Sequence, residues 1–213
     1  MLDSYYRLIR KIAKRNGAIA YYPITTFQDE TSGQRIMTCD NFLFPETDAI
    51  GLFQGVSDEE AQVLLRAFLT HRYAFTFEIA RHFARLLAVR GRLVEEELRV
   101  LLDQTDWTSY ASPFVILAGL AALPEGGTWM LRLLDVVPND TRDGLLTACW
   151  YCDSEAVQEK VLLKFEMWST DPTWGSGDGE GAWLKQFLSK WIKTSQFSYQ
   201  RLERLVTTYL CCF

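Results

Sequence analysis

The chain has 213 residues, 48% of them hydrophobic and 14% aromatic, a composition that excludes intrinsic disorder. A net charge of −5 and a pI near 5.2 disfavour broad nucleic-acid binding, which needs a strongly positive surface. Five cysteines in a chain of this size read as reduced thiols, not as a disulfide framework.

Residues 3–16 read as an amphipathic helix. Tyr5, Leu8, Ile9, Ile12 and Ala13 recur at helical spacing, with Arg7, Arg10, Lys11, Lys14 and Arg15 opposite them. Asn16-Gly17 ends this helix, glycine being the natural left-handed cap. The opening Met1-Leu2-Asp3-Ser4-Tyr5-Tyr6 lacks the charged-then-apolar order of a secretory signal. Segments 18–24 and 34–44, rich in Ile, Tyr, Thr and Phe, flank a polar stretch at 29–33 and are compatible with a β-hairpin.

Ser57-Asp58-Glu59-Glu60 predicts a capping box. Ser57 accepts from the first turn, and Glu60, at the third helical position, reaches back. Ala61, Leu64, Leu65, Phe68 and Leu69 carry the apolar stripe onward. Three helix pairs then follow between residues 75 and 168. The first is 75–89 with 92–104, where Leu93, Leu98, Leu101 and Leu102 point inward and Glu95, Glu96 and Glu97 mostly outward. In the second, Ser112-Pro113 opens a helix, Pro124-Glu125-Gly126-Gly127 breaks it, and Trp129–Val137 returns. The third, after Pro138-Asn139-Asp140 and a cap at Asp140 or Thr141, is 142–152 with 155–168.

The first member of each pair carries an apolar, small-residue segment: Phe83–Val89, Phe114–Leu123 and Leu145–Cys152, roughly 30 residues apart. The longest of these runs ten residues, against about 20 for a bilayer span. Four glycines and a proline make residues 169–181 a loop, with Trp174 inside it. Helices at 182–193 and 197–210 close the chain, with Trp183, Phe187, Leu188 and Trp191, then Leu202, Leu205, Val206 and Tyr209, as their apolar positions.

A helix pair of this kind cannot bury its apolar face alone and must stack on its neighbours. The pattern predicts a mainly all-α fold of stacked antiparallel helix pairs, HEAT-like or an irregular bundle, with a small β-hairpin near the N-terminus. Residues 1–56 are expected to hold the first helix and the hairpin, and 57–213 the helical body, packed as one domain. The turns marked by Pro124 and Pro138 resemble those of HEAT-like helical repeats, over residues 75–168. That resemblance implies a curved stack with a concave binding face.

Cys149-Trp150-Tyr151-Cys152 is a C-x-x-C, but redox enzymes place that spacing at a helix N-terminus, and here it falls near the C-terminal end of a helix. Both thiols are expected in packing. Zinc would need Cys149 and Cys152 joined by Cys211-Cys212 or by His71 and His82; adjacent cysteines and histidines 11 apart are poor chelating pairs. Asp171, Asp178 and Glu180 do not match a calcium-loop spacing, and the glycine-rich loop has no lysine for phosphate. Glu78 and His82, four apart, are either an acid–base pair or an ordinary helix-face pairing. No metal and no cofactor are expected, nor a catalytic residue.

The reading that follows is a cytoplasmic, non-enzymatic protein-binding module with an acidic docking face, engaging one basic protein and neither nucleic acid nor membrane. Its candidate residues are Glu95, Glu96, Glu97, Asp103 and Asp106, with Asp171, Trp174, Asp178 and Glu180 on the loop. A homodimer is compatible with the same surface. Small, acidic, motif-free helical chains resemble bacterial immunity proteins, which implies an antidote that binds and neutralises a cognate toxin. The competing readings are an enzyme with an inter-helix pocket using Glu78, His82 or Cys149, and a scaffold or regulatory subunit.

Overall fold

In the computed structural model the first helix, α1 (Leu2–Arg15), buries Ile9, Ile12 and Ala13 and leaves Lys11, Lys14 and Arg15 in solvent. The structure describes residues 2–16, 20–22, 26–28, 35–37, 41–43, 51–71, 77–105, 114–137, 142–169 and 178–210. Two side chains at the end of α1 tie it down. The Asn16 amide donates to the Leu52 and Gln54 carbonyls at 3.0 and 2.8 Å, and Arg15 grips both oxygens of Glu60 at 3.1 and 2.9 Å. Leu52 belongs to a 3-10 turn, Gly51–Phe53, on which α1 packs.

Four three-residue strands lie between these elements in sequence. They are β1 (Ala20–Tyr22), β2 (Thr26–Gln28), β3 (Arg35–Met37) and β4 (Asn41–Leu43). β1 pairs antiparallel with β4, Tyr21 opposite Phe42, and β2 pairs antiparallel with β3, Phe27 opposite Ile36. The two pairings form separate two-stranded sheets. β1 and β4 join the two segments expected to form the hairpin, and β2 lies beyond the first of them.

Helix α2 (Asp58–His71) begins with the capping box foreseen from its sequence. Glu60 N donates to Ser57 Oγ at 3.2 Å, and Ser57 N donates to Glu60 Oε2 at 3.1 Å. The inward row Ala61, Leu64, Leu65, Phe68 and Leu69 is buried against α3 (Phe77–Arg90), where Phe68 stacks on Phe83 at 4.5 Å between ring centroids.

Behind α3 come a 3-10 turn (Gly91–Val94) and α4 (Glu95–Gln104). The next apolar run, expected as an ordinary helix, is a nine-residue 3-10 helix, Phe114–Ala122. Runs of 3-10 winding beyond three or four residues are uncommon, because the hydrogen-bond geometry is poorer. Here the narrower winding suits the site. Residues 115–120 are all buried, and the segment is wedged between α3 and α6 (Arg142–Tyr151).

Small residues also permit the close approach of α4 and of the chain at Gly126. A Cβ on Gly119 would come within 2.5 Å of Leu98 Cδ2, and one on Gly126 would run into the Leu120 carbonyl oxygen. Helix α5 (Gly126–Leu133) follows after the Pro124 turn, and α7 (Glu155–Trp168) follows α6.

The three first members, α3, the central 3-10 helix and α6, therefore lie side by side. Of the second members, α4 packs on the 3-10 helix and α2, α5 packs on the 3-10 helix and α7, and α7 packs on α6.

Two more helices cover one end of this arrangement. Helix α8 (Asp178–Thr194) packs on α6, and α9 (Tyr199–Leu210) is clamped to α7 by Arg201, which bonds Glu166 and Glu159, each at 2.7 Å. The loop expected over 169–181 is shorter on its C-terminal side, since α8 already begins at Asp178. Acidic residues are favoured in a first turn, where they face the positive end of the helix dipole, and this offsets the two glycines there. Between α7 and α8 the core is aromatic: Phe165, Phe187 and Trp191 are fully buried, with centroids 5.3 to 6.3 Å apart.

Candidate functional site: the outer face of α4

Helix α4 is held by its inward leucines. Leu98 and Leu102 are buried, and Leu98 fills the space over Gly119 that a side chain there would occupy. The Gln62 amide of α2 also donates to the Leu93 carbonyl at 3.0 Å, fixing the turn that leads into the helix. With that face committed, Glu96, Val100 and Asp103 are left in solvent, at positions i, i+4 and i+7 of one row.

The three glutamates expected to act together do different things. Glu95 receives Arg99 at 2.8 Å, and Arg99 also reaches Glu125 at the start of α5. Glu97 receives Arg66 of α2 at 2.8 Å. Both carboxylates are largely neutralised within the fold, and exposed pairs of this kind add little to stability. Glu96 and Asp103 make no hydrogen bond or ion pair among the described residues.

Between these two lies Val100, 52% exposed, and on the neighbouring α2 Val63 is 46% exposed. Neither valine stood out in the sequence, because an apolar residue on a helix reads as core until the packing is known.

The other candidates divide by position. Asp106, Asp171 and Trp174 lie outside the described residues. Asp178 and Glu180 open α8, with side chains outside the described set. The structure thus places Glu95, Glu96, Glu97 and Asp103 on α4 and the described loop candidates at the head of another helix.

The C-x-x-C closes α6. Cys149 is fully buried and Cys152 half-buried, both as free thiols. Burial, and to a lesser degree the neighbouring Cys152, pushes the Cys149 thiol well above its ordinary range, so the reactive thiolate is scarce. The carbonyls of this helix end are taken by buried Gln158 and by Lys190, a cation at the negative end of the helix.

His82 of α3 packs edge-on to Phe53, centroids 6.4 Å apart, and its potential partner Glu78 has its side chain outside the described set. Burial, with a further contribution from the Arg85 charge, lowers its pKa to about 4. The imidazole is therefore neutral at pH 7.

The sign of the linked stability effect follows. An unfolded His binds its proton near pH 6.5, the folded one only near pH 4, so folding is weakened as pH falls through that window. The loss expected by pH 4 is about 3 kcal/mol. His82→Phe should remove most of this slope, as read from urea midpoints at pH 7 and pH 4.5. An unchanged slope would assign the acid sensitivity to other groups.

Among the described residues no group of three or more His, Cys, Asp or Glu side chains could hold a metal ion, and no helix is long and apolar enough to cross a membrane. No protein-family model, no curated protein and no solved structure matches the chain.

Proposed function

We propose that the protein is a non-enzymatic binding module that docks one basic protein on the outer face of α4, and in its narrowest form an antidote that covers a toxin. The observation that carries this reading is the row Glu96, Val100, Asp103. Two carboxylates without a counter-ion among the described residues flank an exposed apolar side chain on a helix pinned from behind by Leu98 and Leu102. An interface needs an apolar centre that can be desolvated, and charges that steer the encounter. Glu96 and Asp103 are available for that role, whereas Glu95 and Glu97 already serve Arg99 and Arg66. The net charge of −5 extends the attraction to a basic partner over a longer range.

The test is affinity purification from the native host with the natural chain and with a Glu96→Lys/Asp103→Lys variant, followed by titration of the captured protein. One basic protein should be retained by the natural chain and released from the variant, with affinity lower by about 100-fold. Glu95→Gln and Glu97→Gln should change affinity by less than about threefold, because those carboxylates are spent inside the fold. Equal retention by the charge-reversed variant would remove α4 as the docking face.

A further inference from the structure

A second feature lies away from α4. The last turn of α6 and the middle of α8 border an open groove of about 470 Å3, lined in part by Trp150, Tyr151, Asp153, Ser189, Lys190 and Lys193. That volume falls in the range of small-ligand sites, about 300 to 1,000 Å3. The charges around it are unevenly used. Lys190 Nζ donates to the Trp150 and Cys152 carbonyls at 2.6 and 3.2 Å and lies 3.4 Å from Asp153 Oδ1, so its charge is spent closing α6. Lys193, exposed three residues further along α8, makes no hydrogen bond or ion pair among the described residues.

Arg85 of α3, which does not line the groove, adds a longer-range positive charge. It is half-buried and close enough to Tyr151 for each to act on the charge of the other. It makes no hydrogen bond or ion pair among the described residues. Arg99 and Arg201, by contrast, are each held by two glutamates. Taking a cation out of water without a counter-ion is unfavourable, and the half-buried guanidinium sits below its ordinary pKa, mainly through burial. The Trp150 indole N–H also lacks an acceptor among the described residues. The groove's lining holds two lysines, Lys190 and Lys193, against one carboxylate, the exposed Asp153.

We propose that the α6–α8 groove binds a small organic anion, an apolar ring bearing a carboxylate or phosphate, with the ring against Trp150 and Tyr151 and the oxyanion on Lys193. This goes beyond the docking of a protein partner and shares no residue with the α4 face, so either can fail without the other.

The test is isothermal titration of the full chain with phenyl phosphate, benzoate and the neutral benzyl alcohol at low ionic strength. At least one of the two anions should bind saturably, one per chain and at least about tenfold tighter than benzyl alcohol, and should weaken as salt is added. The preferred anion identifies the oxyanion the site is built for. Lys193→Gln should weaken binding about tenfold. Lys193 is solvent-exposed, so its variant keeps the fold. Anions held no tighter than benzyl alcohol, or full affinity in Lys193→Gln, would overturn the proposal.

Discussion

Replacing Gln158 by leucine should lower folding stability by about 3 kcal/mol, seen as a reduced urea midpoint at unchanged slope. Gln158 is fully buried in α7. Its amide nitrogen donates to the Cys149 and Cys152 carbonyls at 2.7 and 2.6 Å, and its oxygen accepts the Trp191 indole N–H at 2.8 Å. One side chain therefore joins α6, α7 and α8. Leucine has similar bulk and can replace none of the three bonds.

The damage falls mainly on Trp191. The Cys149 carbonyl keeps the Cys152 amide at 3.2 Å, and the Cys152 carbonyl keeps Lys190, also at 3.2 Å. The buried indole N–H would be left with no acceptor, and a stranded donor costs more than a lost pair. For that reason Gln158→Leu combined with Trp191→Phe should cost less than the sum of the two single changes. Strict additivity, or a single-variant loss below about 1 kcal/mol, would show that this network does not hold the three helices together.

Trp191→Ala should be more damaging, about 5 kcal/mol, and should lower the melting temperature by 10 °C or more. Trp191 is among the largest fully buried side chains, with Phe187 and Phe197 each 5.3 Å away and Phe165 at 6.3 Å. Truncation removes the ring that these aromatics pack on, opens a cavity they cannot collapse into, and orphans Gln158 Oε1 as well. Net stabilities of about 5 to 15 kcal/mol leave little margin for such a loss. Trp191→Phe, which keeps a ring in place, should cost less than half as much. A melting point within about 5 °C of the natural chain's in Trp191→Ala would mean that the α7–α8 core is not what limits stability.

Much of the local structure was legible because its causes are local. The Ser57–Glu60 box spans three residues and is decided by the backbone donors of one helix turn. The limits of α7, Glu155–Trp168, follow from Asp153-Ser154 on one side and a glycine-rich stretch on the other. The placement of Cys149-Cys152 at a helix C-terminal end, and the burial of Cys149, also follow from the apolar run before it.

The proposed docking face was legible only in part. Glu95 has Arg99 four residues on, an i,i+4 spacing visible in the sequence, but nothing near Glu97 distinguishes it from Glu96. For Glu97 the difference is made by Arg66, at a sequence separation of 31 residues. Gln158 was equally hidden, since a glutamine on a helix reads as a surface residue until Trp191, 33 positions away, is seen against it.

What the sequence by itself determined is the helical character of the body, the order of its helix pairs and most of their ends, because periodicity, caps and breakers act within a turn or two of chain. The tertiary structure alone decided the 3-10 winding of Phe114–Ala122, squeezed between α3 and α6. It also decided that Glu97 is paired, with Arg66 of α2. Each of these depends on what a distant segment leaves room for or neutralises, and such through-space competition has no signature in the spacing of residues along one stretch of chain.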